Sequence, residues 1–291
     1  MHFFSLLVAY LLQQKFDLSL SLRFDAFLGG VFGPLCGRAS RSSDLIYALL
    51  LLNAVVFGLI LLFVYLLNQF LWGVGAVLFD TATLLLLLGG QGYRSLLDDY
   101  HQSWGRGDIQ SACYKSRMLG AFYPPQKEVT PEVVHLALVS AYLNHHFTRF
   151  FTVLFWFFIA GPAGGVMVRL NQHLASKSYG TIAESASAIN HMLDWLPARF
   201  LVFTFAIAGD FVGCLKHVRG LTSDYSVDAS KLIMLAASGA LDQHAPDKLN
   251  GKGTTAVITA GESSLRALRS LTSRSLAVWL CAFALISILL A

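Results

Sequence analysis

Leu45-Ile-Tyr-Ala-Leu-Leu-Leu-Leu-Asn-Ala-Val-Val-Phe-Gly-Leu-Ile-Leu-Leu-Phe-Val-Tyr-Leu-Leu67 decides the fold class: 23 residues, no charge, and one amide, Asn53. A helix needs about 20 such residues to cross roughly 30 Å of hydrocarbon. The rest of the chain agrees. Its 291 residues are 55% hydrophobic and 13% charged, with a mean hydropathy of +0.59, whereas a soluble domain carries about 25% charged residues. The apolar excess has to face lipid, which excludes an ordinary soluble fold. A net charge of +4 is too mild for a nucleic-acid binder.

Working outward, Asn68 and Gln69 interrupt the apolar run before Phe70 to Leu88, so a helical hairpin is expected, its second arm carrying Asp80. Phe150 to Val168 reads as a further span broken at Gly161-Pro-Ala-Gly-Gly165, and Ser275 to Ala291 as another. Met1 to Leu12 reaches across only about half a bilayer unless Phe16 to Leu22 extends it, and whether it spans stays open. It lacks the basic flank and small-residue site of a cleaved signal, so it reads as retained. Trp195 to Leu215 contains Arg199 and Asp210, and the basic residues argue for a span or deep re-entrant helix at 196 to 214. With it, residues 13 to 44, 89 to 149 and 215 to 274 share one side and hold eighteen of the 21 Lys and Arg. That is the positive-inside asymmetry of cytoplasmic loops. The expectation is an all-α polytopic membrane protein, one integral membrane domain over 1–291 with four to six membrane helices. Segments 89–149 and 215–274 are expected to be its helical cytoplasmic parts.

Between the spans the pattern is helical, without alternating β-branched runs. Thr130-Pro131-Glu132 combines a capping hydroxyl, a proline at the first helical position and an acid at the positive dipole end. Asp108 is a second cap. From Pro131 one helix runs on into the span at Phe150. Asp242 to Thr255 reads as a loop. Its Asn250-Gly-Lys-Gly-Thr-Thr255 fails the phosphate-loop pattern, because the glycine follows the lysine. Arg266, Arg269 and Arg274 alternate with Leu265, Leu268 and Leu271, as in a helix lying on an anionic leaflet.

Ionisable groups at membrane depth cost roughly 2.5 to 3.5 kcal/mol, so each is a candidate for function. Asp80, Arg199 and Asp210 qualify. The last two, 11 residues apart, would share one helix face about 16 Å apart, too far to pair directly. His135, Tyr142, His146 and Arg149 are spaced 7, 4 and 3 apart and form one polar stripe, suited to solvent, to headgroups or to a cavity wall. Glu184, His191 and Asp194 repeat that spacing. No HExxH and no carboxylate at ligand spacing accompanies the histidines, and Cys36, Cys113, Cys214 and Cys281 form no CxxC pair, so no metal site and no cofactor is expected. No nucleophile triad stands out. Gly161-xxx-Gly165 and Gly209-xxx-Gly213 suit close helix packing, including packing between copies of the chain. At the first of these the helix could instead unwind, which is tolerated at depth where it lines a cavity or packs in protein.

Four segments carry a family resemblance. Phe155-Trp-Phe-Phe158 with Gly161-Pro-Ala-Gly-Gly165, Leu193-Asp-Trp-Leu-Pro-Ala-Arg199, Tyr100-His-Gln-Ser-Trp104-Gly-Arg-Gly-Asp108 and Arg274-Ser-Leu-Ala-Val-Trp-Leu280 resemble the AmpE family. The first two also resemble, more distantly, the CobD/CbiB family of cobalamin biosynthesis. That second group carries an acidic EN..D cluster where this chain has Asn144-His-His-Phe-Thr148, and an NTLD where it has Asn171-Gln-His-Leu174. Without those carboxylates, corrinoid amidation is not expected.

The AmpE resemblance implies a signalling modulator tied to β-lactamase induction and cell-wall stress. Arginine forks suit carboxylate or phosphate. The reading is therefore a ligand-binding membrane protein rather than an enzyme, taking a small anionic cell-wall-derived ligand at Arg149, Asn171, Arg199 and Asp210, with Asp80, His146 and Asp194 nearby. The bilayer is its other partner. An amide-forming enzyme with a changed substrate is the alternative, and a transporter a third, although no duplicated or inverted halves are evident.

Overall fold

Apart from isolated positions before residue 45, the computed structural model describes residues 45–71, 74–88, 92–123, 130–176, 181–241 and 254–289, and every element among them is helical. The readings at Met1 to Leu12 (apart from single positions), at Cys36 and at the loop 242–253 lie outside the described residues. In chain order the helices are α1 (Leu45–Leu71), α2 (Val74–Leu88), α3 (Tyr93–Gly105), α4 (Ile109–Met118) and α5 (Pro131–His146). A π-helical turn (Phe147–Phe151) leads into α6 (Thr152–Ser176), followed by α7 (Thr181–Ala208), α8 (Phe211–Val218), α9 (Ala229–Leu241) and α10 (Thr254–Leu289). Both expected caps are present: Asp108 accepts from Ser111 N–H at 3.0 Å, and Thr130 Oγ1 from Val133 N–H at 3.5 Å, ahead of Pro131.

Among the described residues three stretches are long and apolar enough to cross a membrane: Leu49–Leu67 of α1, Pro131–Ser176 and Ala256–Leu289. Only 11% of the first is buried. Leu51, Leu59, Leu62 and Tyr65 project outward with no protein over them, as lipid-facing side chains do. The described α2, 15 residues, spans only about 22 Å at 1.5 Å per residue.

The chain divides into two compact units. The first comprises residues 1–91, 149–197 and 282–291, the second residues 92–148 and 198–281.

In the first unit, α1, α2 and α6 pack together. Asn53, the lone amide of the deciding stretch, is buried and exchanges hydrogen bonds with Asn171: Asn53 Nδ2 donates at 3.2 Å and Asn171 Nδ2 at 2.7 Å. Their remaining protons go to Leu49 O and Met167 O. Such a pair contributes about 0.6 kcal/mol between membrane helices, but it fixes the register of α1 on α6. Leu49, Leu170, Leu174, Ile182, Ala186 and Ile189 form the apolar core beside it.

In the second unit α10 is the spine. Its buried side carries Val257, Ser264, Leu265, Leu268, Leu271, Thr272 and Ser275. This corrects the leaflet reading of Leu265, Leu268 and Leu271: all three are buried against protein, while Arg266 is exposed and pairs with Glu262, and Arg269, at the edge of the buried face, meets Asp98. The stripe on α5 is corrected in the same way. His135 and Tyr142 are buried, not solvated, and bond to α10: His135 Nε2 to Ser264 Oγ and Tyr142 OH to Thr272 Oγ1, each 3.1 Å. The Thr272 proton is engaged with its own helix at Arg269 O, so Tyr142 donates. The increments of seven on α5 and eight on α10 show that the two helices run parallel. Farther along, Trp279 Nε1 donates to Thr204 Oγ1 of α7 at 3.2 Å.

The single helix expected over 196 to 214 is also corrected. α7 ends at Ala208, Gly209 follows, and Asp210 caps α8 by accepting from Val212 N–H. Arg199 and Asp210 therefore sit on different helices. From Trp195 the apolar end of α7 covers only about 21 Å, short of the bilayer core. Asp210 N–H also donates to Ala240 O at 2.9 Å, satisfying a terminal carbonyl of α9.

The small residues at 209 and 213 serve packing, as their spacing suggests. A Cβ on Gly239 of α9 would lie 2.5 Å from Gly213 O and 2.9 Å from Cys214 Cα. Gly239→Ala must therefore push α8 off α9. Thermal unfolding in detergent should show a loss of about 1 to 3 kcal/mol, while Gly58→Ala, at a position with open space around it, should not.

Candidate functional site

Two of the motif segments, 155–165 and 193–197, meet at the corner of α6. Gly161 has φ 63 and ψ −154, a region that only glycine enters without large strain. Pro162 follows, lacking the N–H that a continuing helix would use. The result is a fold-back, not a bend. Residues eight apart in a straight helix are about 12 Å apart along the axis, yet a Cβ on Gly164 would touch Trp156 O, and one on Gly165 would lie 3.5 Å from the Phe157 ring and 2.7 Å from Leu87 Cδ1. Residues 161–165 are all buried, so the unwinding is of the kind that packs in protein.

The corner holds Trp156 so that its indole Nε1 donates to Leu193 O at 3.0 Å. That carbonyl is the one α7 leaves unbonded. In an α-helix the N–H of residue i+4 would reach it, and here residue i+4 is Pro197. The tryptophan of the Phe-Trp segment thus supplies the donor missing from the Trp-Leu-Pro-Ala-Arg segment. Leaving this part-buried carbonyl without it would cost on the order of 1 kcal/mol, at the low end for an unmatched group.

Two residues beyond that proline, Arg199 is buried, and its partners are backbone. Nε donates to Thr222 O at 3.0 Å and Nη2 to Asp224 O at 2.8 Å. It clamps the loop between α8 and α9. There Asp224 folds onto Ser226, accepting from its N–H at 2.9 Å and its hydroxyl at 2.8 Å. Those two bonds hold the Asp224 carboxyl below its ordinary range, and the Arg199 charge adds to the effect.

The seven expected ligand residues fall into both units. Asp80 on α2 is buried, Asn171 sits in the amide pair with Asn53, Arg149 lies in the π-helical turn, and Asp194 is half-buried on α7; these four belong to the first unit. His146, Arg199 and Asp210 belong to the second. Because Phe147–Phe151 is π-helical, the α spacing that placed Arg149 on the stripe with His146 does not hold there. Asn144, His145 and His146 occupy the stretch where the second family has its acidic cluster, and they make packing contacts. Asn144 Oδ1 accepts from Ser230 Oγ at 3.0 Å, the His145 ring stacks on Tyr93 at 3.7 Å, and His146 Nδ1 bonds Tyr142 O at 3.0 Å. Among the described residues no group of three or more His, Cys, Asp or Glu could hold a metal ion.

The family description "Regulatory signalling modulator protein AmpE" matches residues 1–244. The chain belongs to this family. Two curated relatives are also similar, each described as cobalamin biosynthesis protein CobD. The one from Chromobacterium violaceum is 23% identical over 171 residues, covering 57% of this chain and 54% of the relative. The one from Stutzerimonas stutzeri is 26% identical over 169 residues, covering 55% of each. The chain thus spans about half the length of the curated relatives it matches. No solved structure matches it.

Sequence reading missed what Trp156 does. Pro197 inside a helix announced an orphaned carbonyl at Leu193, but nothing in the sequence named the donor.

Two outcomes follow. Trp156→Phe should lower stability by about 1 kcal/mol, and adding Pro197→Ala, which restores the helical N–H, should recover much of the loss in a double-mutant cycle of thermal unfolding. Arg199→Ala should raise hydrogen exchange at residues 221–227 with little change in α3.

Proposed function

We propose that this AmpE-family protein is an inner-membrane modulator that registers a small anionic, cell-wall-derived ligand and passes its occupancy to a cytoplasmic helical unit, acting on β-lactamase induction. One observation carries the reading. The segments 89–149 and 215–274, with six and eight of the 21 Lys and Arg, are tied to each other by His135–Ser264 and Tyr142–Thr272. These bonds support a reading in which the two segments lie on one side of the membrane, and the positive-inside bias favours the cytoplasm as that side. The unit is continuous in sequence with the spans through the π-helical turn and through α10, so a change at the membrane has a covalent route into it.

The candidate ligand groups are, in the first unit, Arg149, Asn171, Asp80 and Asp194, and, in the second, Arg199, Asp210 and His146. Amide formation on an altered substrate remains the second reading, favoured by the likeness to the CobD proteins over about half their length. Turnover of a panel of acids, amines and nucleoside triphosphates by purified protein would establish it.

Orientation and role are tested together in cells. Cys113 should resist a membrane-impermeant thiol reagent until the cells are opened. Arg149→Ala and Arg199→Ala, at normal membrane abundance, should each abolish the chain's effect on β-lactamase induction. Unchanged induction with both variants, or labelling of Cys113 in intact cells, would overturn the proposal.

A further inference from the structure

A second cluster in the 92–148 and 198–281 unit was not assigned by the motifs. α3 opens at Gly92, which has φ 86 and no side chain to cap the helix, and no acid stands in its first turn. The first two helical residues are Tyr93 and Arg94. The Tyr93 ring stacks face to face on His145 at 3.7 Å and meets His146 edge-on at 6.0 Å, and His146 in turn packs on the Tyr142 ring at 4.1 Å. This wall of rings leaves the Tyr93 hydroxyl buried without a hydrogen-bond partner.

Arg269 of α10 approaches from the other side. Its field reaches Tyr93, and together with that of Arg94 it reaches Tyr142 and His146. One terminal nitrogen meets Asp98 at 3.5 Å, but Asp98 is 67% exposed and the arginine only 36%, so that ion pair is solvent-screened and weak. Among the described residues, its buried Nε and the Tyr93 hydroxyl have no acceptor. The carboxylate that Arg269 meets is thus an exposed one, and two buried donors of the cluster are left unmatched. Burial raises the Tyr93 phenol well above its ordinary range, so it stays protonated, a donor, throughout physiological pH.

We infer that Tyr93, Arg94 and Arg269 form an oxyanion site that takes a phosphate group. The guanidinium forks and the phenol supply donors, and the first turn of α3 adds the positive end of its dipole. A group of this chemistry can come from a soluble phosphate ester or from a lipid headgroup, since His146 immediately precedes the π-helical turn that leads into α6. The site stands whether or not the chain signals, because binding is measured on the isolated protein.

The test uses the purified full chain. Inorganic phosphate is titrated by calorimetry in non-ionic detergent, and phosphatidic acid is offered in phosphatidylcholine nanodiscs. Saturable binding of inorganic phosphate assigns the site to soluble phosphates, and binding confined to phosphatidic acid assigns it to lipid; either supports the inference. Arg269→Gln should weaken the bound probe by about tenfold or more. Tyr93→Phe, which keeps the stacked ring and removes only the hydroxyl, should weaken it by about fivefold. Arg274→Gln, on the same helix but donating to Ser270 O at the exposed surface, should leave the affinity unchanged. No saturable binding of either probe, unchanged affinity in Tyr93→Phe and Arg269→Gln, or an equal loss in Arg274→Gln would overturn it.

Discussion

A proline in a buried helix creates a debt of one hydrogen bond, and in this chain the indole of Trp156 meets it. Leu193 O would otherwise face apolar surroundings, where an unmatched carbonyl is expensive. The donor has to arrive from another helix at 3.0 Å, which fixes where the Phe-Trp segment can lie. That placement in turn depends on the Gly161 corner folding α6 back on itself. Trp156 and Gly161 on α6 and the distant Pro197 on α7 thus solve one problem of backbone satisfaction. The motif residues around them are explained by it before any ligand is invoked.

The 92–148 and 198–281 unit is organised on a different rule. Its core is helical and apolar, but leucines alone would let parallel helices slide by a turn at little cost. Ser264 and Thr272 on α10 prevent this by bonding His135 and Tyr142 at matched intervals, and Trp279 repeats the device against Thr204. Each bond contributes little energy on its own. Their value is register, because a slip would strand several buried polar groups at once.

The helical class, both caps on the 89–149 segment, the deciding span and the packing role of the paired glycines were legible in the sequence, because each rests on local chemistry or on one periodicity. The polar stripe on α5 was seen but misplaced. Spacing shows that His135, Tyr142 and His146 share a face, and cannot say whether that face meets water or a serine and threonine 130 positions away. The arginines and leucines before the last span misled for the same reason, since an amphipathic face fits a leaflet and a protein core equally well. The end of α7 was obscured because Gly209 and Asp210 read as features within a helix, whereas the backbone uses them to stop one helix and start another. As to the candidate site, the motifs located Trp156, Pro197 and Arg199, but the bond from Trp156 to Leu193 O and those from Arg199 to the carbonyls of Thr222 and Asp224 are long-range and leave no trace in spacing.

The corner at Gly161 also bears on how such chains can diverge. With φ 63 and ψ −154, that position is closed to the other nineteen amino acids, Gly164 leaves no room for a first side-chain carbon against Trp156 O, and at Gly165 one would have to displace the end of the Leu87 side chain. A lineage could exchange nearly every lipid-facing leucine of α1 and keep the architecture, yet a single codon change at this hinge point would have to be reverted or compensated by rebuilding the fold-back. The slowest clock in the molecule should therefore tick at three glycines that contact no solvent and carry no chemistry of their own.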